Sequence, residues 1–246
     1  MDSLRHLAAT LGILHHLRRP FLGAAEAPLR AAGLRLDERD VRGGERLPSV
    51  DEVDGILSLG GEASVTEIER YPHLVAEVEL LREAVERELP VLGVCLGAQL
   101  LAHALGGEVT RLARRTVAWE ALSPLPGSEG DPLLAALPRP VPALHWNEDG
   151  FTLPPGAVEL LGRAGHGVEA FRAGSCAWGV QFHPDVDAAV LEDWYSGYGS
   201  WLAEAGVEEA EARAADARWL GVARESSAAL FGAFAEVVAS QRPSRR

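Results

Sequence analysis

The sequence contains no lysine, since all 23 of its basic residues are arginine. A Walker-type phosphate loop and a Schiff base to pyridoxal phosphate both depend on a lysine side chain. The missing lysine therefore argues against an ordinary P-loop nucleotidase and against a pyridoxal enzyme.

Cysteine and long apolar runs are also scarce. The two cysteines, Cys95 and Cys176, are too few for a disulfide framework, and their spacing fits no zinc motif. No apolar run reaches the roughly 18 residues of a membrane span. Residues 1–19 lack the long apolar segment and cleavage site of a secretory signal. We therefore predict a cytoplasmic protein that is not associated with a membrane.

The acidic balance limits the partners that the surface can attract. The formal net charge is −13 at pH 7, which would repel a phosphate backbone, so we predict no nucleic-acid partner. The 246 residues, 47% of them hydrophobic, suit one large α/β domain or one domain with an appendage.

Short apolar runs alternate with helical patterns along the first half of the chain. This order predicts a parallel sheet with helices on both faces. The predicted strands are residues 11–15, 34–41, 53–59 and 91–94, and the predicted helices are residues 21–32, 71–89 and 96–105.

The second half changes character. Residues 108–125 alternate like strands, whereas residues 126–156 are rich in proline and glycine and are predicted to be loops and short elements. Further strands are predicted at residues 158–161, 168–171 and 178–182. The chain after Asp187 is predicted to be mostly helical, with a second helix over 208–241 and a disordered tail over 242–246. We predict one domain over residues 1–192 and a helical extension over 193–246 packed on it.

The sharpest local pattern is Gly-Val-Cys-Leu-Gly at residues 93–97, between a predicted strand and a predicted helix. This is the nucleophile-elbow pattern with Cys95 at the nucleophile position. The turn would place the thiol near a helix N-terminus, where the helix dipole favours a thiolate. The alternative interpretation is a buried core cysteine at the end of a strand.

Two further patterns could complete a site around that thiol. His183 and Asp185 follow another predicted strand and supply a base and an orienting carboxylate. The pair Gly60-Gly61 ends a third strand, where the N–H of Gly61 together with that of Leu96 would form an oxyanion hole worth ~3 kcal/mol per donor. Taken singly, each pattern is also compatible with a structural histidine or a simple tight turn.

Three stretches together resemble a known family. They are PVLGVCLGAQLLAHALGG at 90–107, LSLGG at 57–61 and WGVQFHPD at 178–185. In order and spacing they resemble the class I glutamine amidotransferases, particularly the stand-alone proteins similar to the glutaminase domain of GMP synthase. The helical stretch 193–206 is also similar to that subgroup. The resemblance implies a flavodoxin-like α/β fold, with a mostly parallel sheet flanked by helices.

The resemblance also implies a reaction and residues for it. Cys95 would attack the side-chain amide of glutamine and form a γ-glutamyl thioester. His183 would carry protons, Asp185 would be the third member of the triad, and the N–H groups of Gly61 and Leu96 would hold the oxyanion.

Gly60, Gln99 and Trp146 match positions that hold or shape the substrate in the family. The implied substrate is glutamine or another small γ-glutamyl molecule, with no cofactor and no metal. Family members pass ammonia to a synthetase, which here would be a separate protein or absent.

The sequence departs from the family close to the triad. Asp185 stands where the family has glutamate, and its carboxylate reaches ~1.5 Å less far. It could still orient His183, or Asp187 could hold the ring instead. Glu62 replaces the proline that usually follows the glycine pair, which places a negative charge beside the oxyanion site unless the side chain turns outward.

Other departures lie in two segments predicted to be loops near the substrate. Thr116, Ala118 and Asn147 stand where the subgroup commonly has glutamate, glycine and histidine. These changes leave the nucleophile intact and bear on specificity for glutamine. Two alternatives stay open: a γ-glutamyl peptide or amine hydrolase, and a catalytically weak homologue that acts as a binding or regulatory subunit.

The remaining polar and aromatic features are given structural roles. His15 and His16 are interpreted as polar strand-end residues, although they could face the site. Cys176 is placed in a hairpin turn without chemistry. The aromatic residues of the predicted tail helix are interpreted as a face that docks on the domain and not as a ligand site: Trp194, Tyr195, Tyr198 and Trp201.

Overall fold

The structure, a computed structural model, describes residues 8–135, 137–163 and 167–241. The predicted disordered tail at 242–246 lies outside the described residues. The described part contains one nine-stranded sheet. Its strands are β1 Thr10–His16, β2 Arg35–Asp40, β3 Gly55–Gly61, β4 Val91–Val94, β5 Val109–Pro124, β6 Val141–Phe151, β7 Val158–Gly162, β8 Ala170–Ala173 and β9 Ala177–Val180.

The strand order is β2-β1-β3-β4-β9-β8-β7-β5-β6. The first five strands in this order run parallel to one another, and the remaining four continue the sheet in antiparallel fashion. Because β1, β3, β4 and β9 are parallel, their carboxyl ends meet at one edge of the sheet. The predicted α/β, flavodoxin-like fold with a mostly parallel sheet is confirmed.

The helices flank this sheet on both sides. They are α1 Glu26–Ala31, α2 Pro72–Glu86, α3 Leu96–Ala104, α4 Ala188–Gly197, α5 Gly199–Ala205 and α6 Glu209–Ser240. Successive residues of a strand point to opposite faces, so Ile56 packs in one apolar cluster with α2 and α3, and Leu57 in another with α1 and α6. No helix in the described part is long and apolar enough to cross a bilayer.

Helix α6 contributes directly to the main core. Its buried residues pack in the same cluster as Leu57 of β3 and Leu92 of β4. They include Leu230, Phe231, Phe234, Ala235 and Val238, each at most 1% exposed. The predicted second helix of the tail is therefore present, and it covers one face of the sheet. The boundary between residues 192 and 193 stays a prediction.

The prediction of loops and short elements over residues 126–156 is wrong, because β6 occupies 141–151 and pairs with β5 along its length. Prolines at 138, 140 and 142 obscured this strand. Pro142 is tolerated because β6 is an edge strand of the sheet. Residues 108–125 form one strand, β5, whose register with β6 is irregular between Arg111 and Thr116.

The helix predicted over residues 21–32 is shorter than expected. A 3-10 turn at Gly23–Ala25 precedes α1, which covers Glu26–Ala31. Gly23 has φ +50, and a Cβ there would lie 2.1 Å from the carbonyl oxygen of Asp185. This close approach joins the start of the helix to the segment that carries the predicted triad carboxylate.

Candidate active site

Cys95 lies on the turn between β4 and α3, at the carboxyl edge of the sheet. Its backbone has φ 51 and ψ −105, a conformation that is strained for a residue with a side chain. Its N–H donates a hydrogen bond to the carbonyl oxygen of Val180 at 2.9 Å, which ties the turn to β9. The strand, turn and helix that the elbow pattern predicts are therefore present, and Cys95 is buried within them.

The two glycines of the elbow allow very close packing. A Cβ on Gly93 would lie 2.5 Å from the carbonyl oxygen of Gly97, and a Cβ on Gly97 would lie 2.1 Å from that of Ser58. Any side chain at either position would force the backbone apart. The glycine spacing in the sequence therefore reflects the direct contact of α3 with β3 and β4.

His183 follows β9 and faces Cys95. Its N–H donates to the carbonyl oxygen of Leu144 in β6 at 2.8 Å, and its ring Nδ1 lies 3.1 Å from Oδ1 of Asp185. Cys95 and His183 line the same cavity. The structure thus brings Cys95, His183 and Asp185 together in the predicted order.

The surroundings of His183 favour its protonated form. Burial alone would lower the pKa of the imidazole, but the neighbouring Cys95 and Asp185 outweigh burial and raise it to about 10. The site therefore holds a positive ring between the sulfur and a carboxylate. That arrangement supplies an acid close to the nucleophile.

The shorter carboxylate of Asp185 reaches the ring because its backbone is held close to it. The N–H of Ala24 donates to the carbonyl oxygen of Asp185 at 2.9 Å, from the turn that begins with Gly23. The alternative that Asp187 orients the ring is not supported, because its side chain caps α4 and accepts from the N–H of Val190 at 2.9 Å.

The glycine pair lies beside the thiol and the imidazole. A Cβ on Gly60 would lie 2.7 Å from Cε1 of His183 and 3.5 Å from Cβ of Cys95. A Cβ on Gly61 would lie 2.8 Å from Cδ2 of Leu96. Leu96 is the first residue of α3, so its N–H has no partner within the helix. The residues predicted to form an oxyanion hole are therefore neighbours, and their role stays a prediction.

Trp146 and Gln99, both predicted to hold substrate, occupy different places. Trp146 lines the cavity above Cys95. Gln99 is buried, and its Nε2 donates to the carbonyl oxygen of Asp149 at 3.2 Å and to Oε1 of Gln181 at 3.3 Å. Gln99 is not among the residues that line this cavity, so the structure places it as a support between α3 and β6.

A small, half-open cavity lies over Cys95 and His183. Tail residues of α4 and α5 form part of its wall, and Trp194 also packs edge-on against the ring of His183 at 4.7 Å between centroids. The predicted docking of these aromatic residues on the domain is confirmed, since they pack in one cluster with residues of β5 and β6, and three of them also line the cavity. The lining residues are Leu17, Gly60, Gly61, Glu62, Cys95, Trp146, His183, Trp194, Tyr198 and Trp201.

Glu62 keeps its side chain at this cavity and does not turn away from it. Its Oε1 accepts a hydrogen bond from the hydroxyl of Tyr198 at 2.6 Å. Burial, followed by the bond and charge of Glu62, raises the pKa of Tyr198 above its ordinary value. Glu62, which stands where the family usually has proline, thus links the end of β3 to the segment between α4 and α5.

The two segments with altered residues are paired strands, not loops. Thr116 of β5 lies opposite Asn147 of β6. The amide nitrogen of Asn147 donates to the carbonyl oxygen of Asp149 at 2.9 Å, while its Oδ1 is buried without a hydrogen-bond partner in the described structure. The strand-like alternation predicted over residues 108–125 is confirmed, whereas the loop predicted around Asn147 is wrong. Neither Thr116 nor Asn147 is among the residues that line the cavity over Cys95.

A buried polar chain beneath the site was missed from the sequence. Glu77 of α2 is fully buried; its Oε1 accepts from the hydroxyl of Ser58 at 2.6 Å, and its Oε2 lies 2.7 Å from Nε2 of His16. The sequence could have indicated this burial, because Glu77 lies three residues after Leu74 and four before Leu81, on the apolar face of the helix. His16 was interpreted as a polar residue at a strand end. In the structure it is buried and belongs to this hydrogen-bonded group.

One described group of side chains could hold a metal by its chemistry. The ligand atoms of Glu120, His145 and Glu169 lie within 4.8 Å of one another. However, Nε2 of His145 already lies 2.7 Å from Oε2 of Glu169, and Arg163 pairs with Glu120. Because the arginine supplies positive charge at this cluster, the chain's own residues already satisfy much of its charge.

Comparison with known proteins identifies the family of this chain. Residues 34–193 match the family model for glutamine amidotransferase class-I. GMP synthase (glutamine-hydrolysing) of Thermomicrobium roseum is 38% identical over 133 residues, which are 54% of this chain and 23% of that enzyme. One of the subunits of the glutamine-hydrolysing GMP synthase of Methanococcus maripaludis is 31% identical over 144 residues, 58% of this chain and 69% of the relative.

The fold comparison leads to the same family. A glutamine amidotransferase from Thermotoga maritima superimposes with a TM-score of 0.80 at 26% identity, covering 94% of this chain and all of that one. The chain therefore belongs to the class I glutamine amidotransferase family. It spans less than a quarter of the Thermomicrobium GMP synthase, so that enzyme's complete activity does not transfer with the match.

Proposed function

We propose that this protein hydrolyses the side-chain amide of glutamine through a γ-glutamyl thioester on Cys95. The observation that carries the proposal is the strained, buried Cys95 facing His183, whose ring lies 3.1 Å from Asp185. Membership in the class I glutamine amidotransferase family supports the same chemistry.

The first half of the proposed reaction forms the thioester. The sulfur of Cys95, as thiolate, adds to the γ-carbonyl carbon, and the N–H groups of Gly61 and Leu96 stabilise the oxyanion. The carbon–nitrogen bond then breaks as His183 gives its proton to the leaving nitrogen. Ammonia leaves, and His183 is left neutral.

The second half returns the site to its starting state. Water adds to the thioester carbon and passes a proton to His183, while Asp185 holds the ring in position. The carbon–sulfur bond then breaks, releasing glutamate and restoring the thiolate beside the protonated ring.

The ammonia requires an acceptor for any synthetic use. We propose that this acceptor is a synthetase on a separate chain, by analogy with the Methanococcus relative, which is named as one of the subunits of a GMP synthase. The cytoplasm is the proposed location. Addition of a candidate synthetase to the purified protein would test the partner, with ammonia channelling read out as product formed without free ammonium.

Glutamate release by the purified protein tests the central proposal. We expect turnover of glutamine, loss of it in Cys95→Ala, and full retention in the matched control Cys176→Ala. Rapid quenching followed by mass spectrometry should find the γ-glutamyl adduct on Cys95.

A thiol-reactive glutamine analogue separates the remaining alternatives. Stoichiometric labelling of Cys95 at neutral pH supports the enzyme. If Cys95 stays unlabelled and no glutamine or γ-glutamyl amide is cleaved, the proposal fails, and a binding or regulatory role becomes the better description.

A further inference from the structure

The cavity wall beside His183 combines aromatic rings with one carboxylate. Trp146, Trp194, Tyr198 and Trp201 contribute the rings, and Glu62 is the only acidic residue among the described residues that line the cavity. From this wall we propose that the preferred substrate is a γ-glutamyl amide whose leaving amine carries a second, positively charged group. The inference rests on the proposed function and specifies its substrate class.

Aromatic faces and a carboxylate together form a binding surface for an organic cation. A cation over the face of tryptophan or tyrosine is attracted by the ring quadrupole, and the attraction grows when water is excluded. Trp146 and Trp194 pack edge to face, with their ring centroids 5.3 Å apart and their planes inclined by 64°, and both line the cavity. Such a wall suits an alkylammonium better than the small neutral ammonia released from glutamine.

The aromatic wall and Glu62 lie close to the residues that would carry out the reaction. His183, which would protonate the leaving nitrogen, is in edge contact with Trp194 at 4.7 Å. Glu62 directly follows the predicted oxyanion donor Gly61. The aromatic surface and the carboxylate therefore line the cavity that contains the reacting residues. The proposal assigns the wall to the leaving amine, because Trp194 contacts the ring that would protonate the leaving nitrogen.

Outside the Cys95–His183 pair, the surrounding charges favour a cation in this cavity. Arg115 stacks over Trp201 at 4.1 Å from the ring centre, but its guanidinium pairs with Glu148 at 2.8 Å and Glu204 at 2.9 Å. The net charge of −13 adds a long-range attraction for positive ligands.

Arginines also lie close to the cavity mouth, and they could instead favour a negatively charged substrate. Arg18 and Arg19 line a second surface pocket that shares Tyr198 with the first, and Arg19 pairs with Asp193 at 2.7 Å. If these arginines governed recognition, an amine bearing a carboxylate would be preferred instead. A substrate series with both charges separates the two cases.

The proposed reaction keeps the chemistry of the glutaminase with another leaving group. Cys95 adds to the γ-carbonyl carbon, and the bond to the amide nitrogen breaks. His183 protonates that nitrogen, so the free diamine leaves. Water then hydrolyses the thioester to glutamate and returns the proton to His183.

The test compares four substrates that differ only in the leaving amine. They are glutamine, γ-glutamyl butylamide, the same butylamide with a terminal ammonium, and a matched amide with a terminal carboxylate. We expect kcat/KM for the ammonium substrate to exceed that for neutral butylamide by about tenfold and to exceed that for the carboxylate substrate by more.

The variant Glu62→Gln tests the carboxylate itself, because glutamine keeps the size of the side chain and can still accept from Tyr198. The preference for the ammonium substrate over neutral butylamide should fall to about twofold or less. Glu69→Gln, which removes an exposed acid near the same segment, should keep the full preference. Binding of the ammonium substrate to Cys95→Ala, followed by tryptophan fluorescence, gives a readout independent of turnover.

The outcomes distinguish this inference from the proposed function. Cys95-dependent cleavage with equal rates for the neutral and ammonium substrates, or a preference for the carboxylate substrate, overturns the inference alone. A Glu62→Gln variant that slows all four substrates equally also overturns it, because Glu62 would then recognise the glutamyl half. Absence of Cys95-dependent cleavage of every substrate overturns the proposed function as well.

Discussion

At the scale of single residues, the contact between His183 and Asp185 depends on backbone placement more than on side-chain length. Asp185 lacks one methylene relative to the family's glutamate, yet its carboxylate lies 3.1 Å from the ring. The hydrogen bond from Ala24 and the close approach of Gly23 hold its backbone. The sequence identified the residue, but it could not show this support, because the supporting turn lies about 160 residues earlier in the chain.

We expect Asp185→Asn to reduce kcat by about 10²-fold or more, because the amide cannot stabilise the positive ring. The pKa of His183, about 10, should also fall when one of the charges that raise it is removed. The alkaline limb of the rate profile would then move to lower pH. Measurement of kcat/KM from pH 6 to pH 11 checks both effects, and an unchanged alkaline limb would contradict the assignment.

The same ring should make stability depend on pH. Its pKa is raised from 6.5 to about 10 on folding, so its contribution to stability is fully present below pH 6.5 and is lost as pH rises through about 10. The difference in unfolding free energy between the wild type and His183→Gln should therefore shrink from pH 6 to pH 10. Urea titrations at several pH values measure this difference, and a constant or growing difference would contradict it.

At the scale of elements, the predicted strands overlap every strand of the described sheet except β6. Strands β1, β3 and β4 are short apolar runs between clear helices, so their pattern has one interpretation. Strand β6 is an edge strand with a proline near its start, and its residues therefore resemble a loop. The role of the tail aromatics in the cavity was missed because helical spacing does not reveal which neighbour a face meets.

The buried Glu77 connects α2 to β1 and β3, and we expect it to stabilise the packing of these three elements. Glu77→Ala leaves His16 and Ser58 buried without their partner, and should lower the unfolding free energy by about 3–5 kcal/mol. Glu77→Gln, which keeps the shape, should cost less. The exposed Glu79→Ala on the same helix serves as the matched control. A loss below about 1 kcal/mol in Glu77→Ala, measured by urea unfolding, would show that the chain of hydrogen bonds is not needed.

At the scale of the whole molecule, the C-terminal helices belong to the same core as the sheet. Helix α6 buries Phe231 and Phe234 against the face that α1 also covers. The sequence predicted an extension packed on a domain, because a helix that follows the last recognised motif looks separable. Burial of this kind depends on contacts between distant parts of the chain, and local patterns do not encode them.

A chain that ends at residue 192 should therefore lose its cooperative fold, because the apolar face covered by α6 would meet water. We expect broad thermal unfolding and strong dye binding for this truncation. A chain that ends at residue 241 should melt like the full protein. A sharp, reversible transition in the shorter chain would instead establish residues 1–192 as an independent domain.

The positive φ of Cys95 also reverses a familiar ordering of substitutions. Alanine normally stabilises a backbone relative to glycine, but a Cβ is unfavourable at φ 51, so Cys95→Gly should be more stable than Cys95→Ala by about 1 kcal/mol. Thermal or urea unfolding of the two variants checks this order, and equal stability would mean that the turn relaxes. If glycine is the more stable residue, selection for stability would favour glycine at position 95 and remove the proposed nucleophile. In a library screened for thermostability alone, the elbow is thus a position where gains in melting temperature and loss of activity would be selected together.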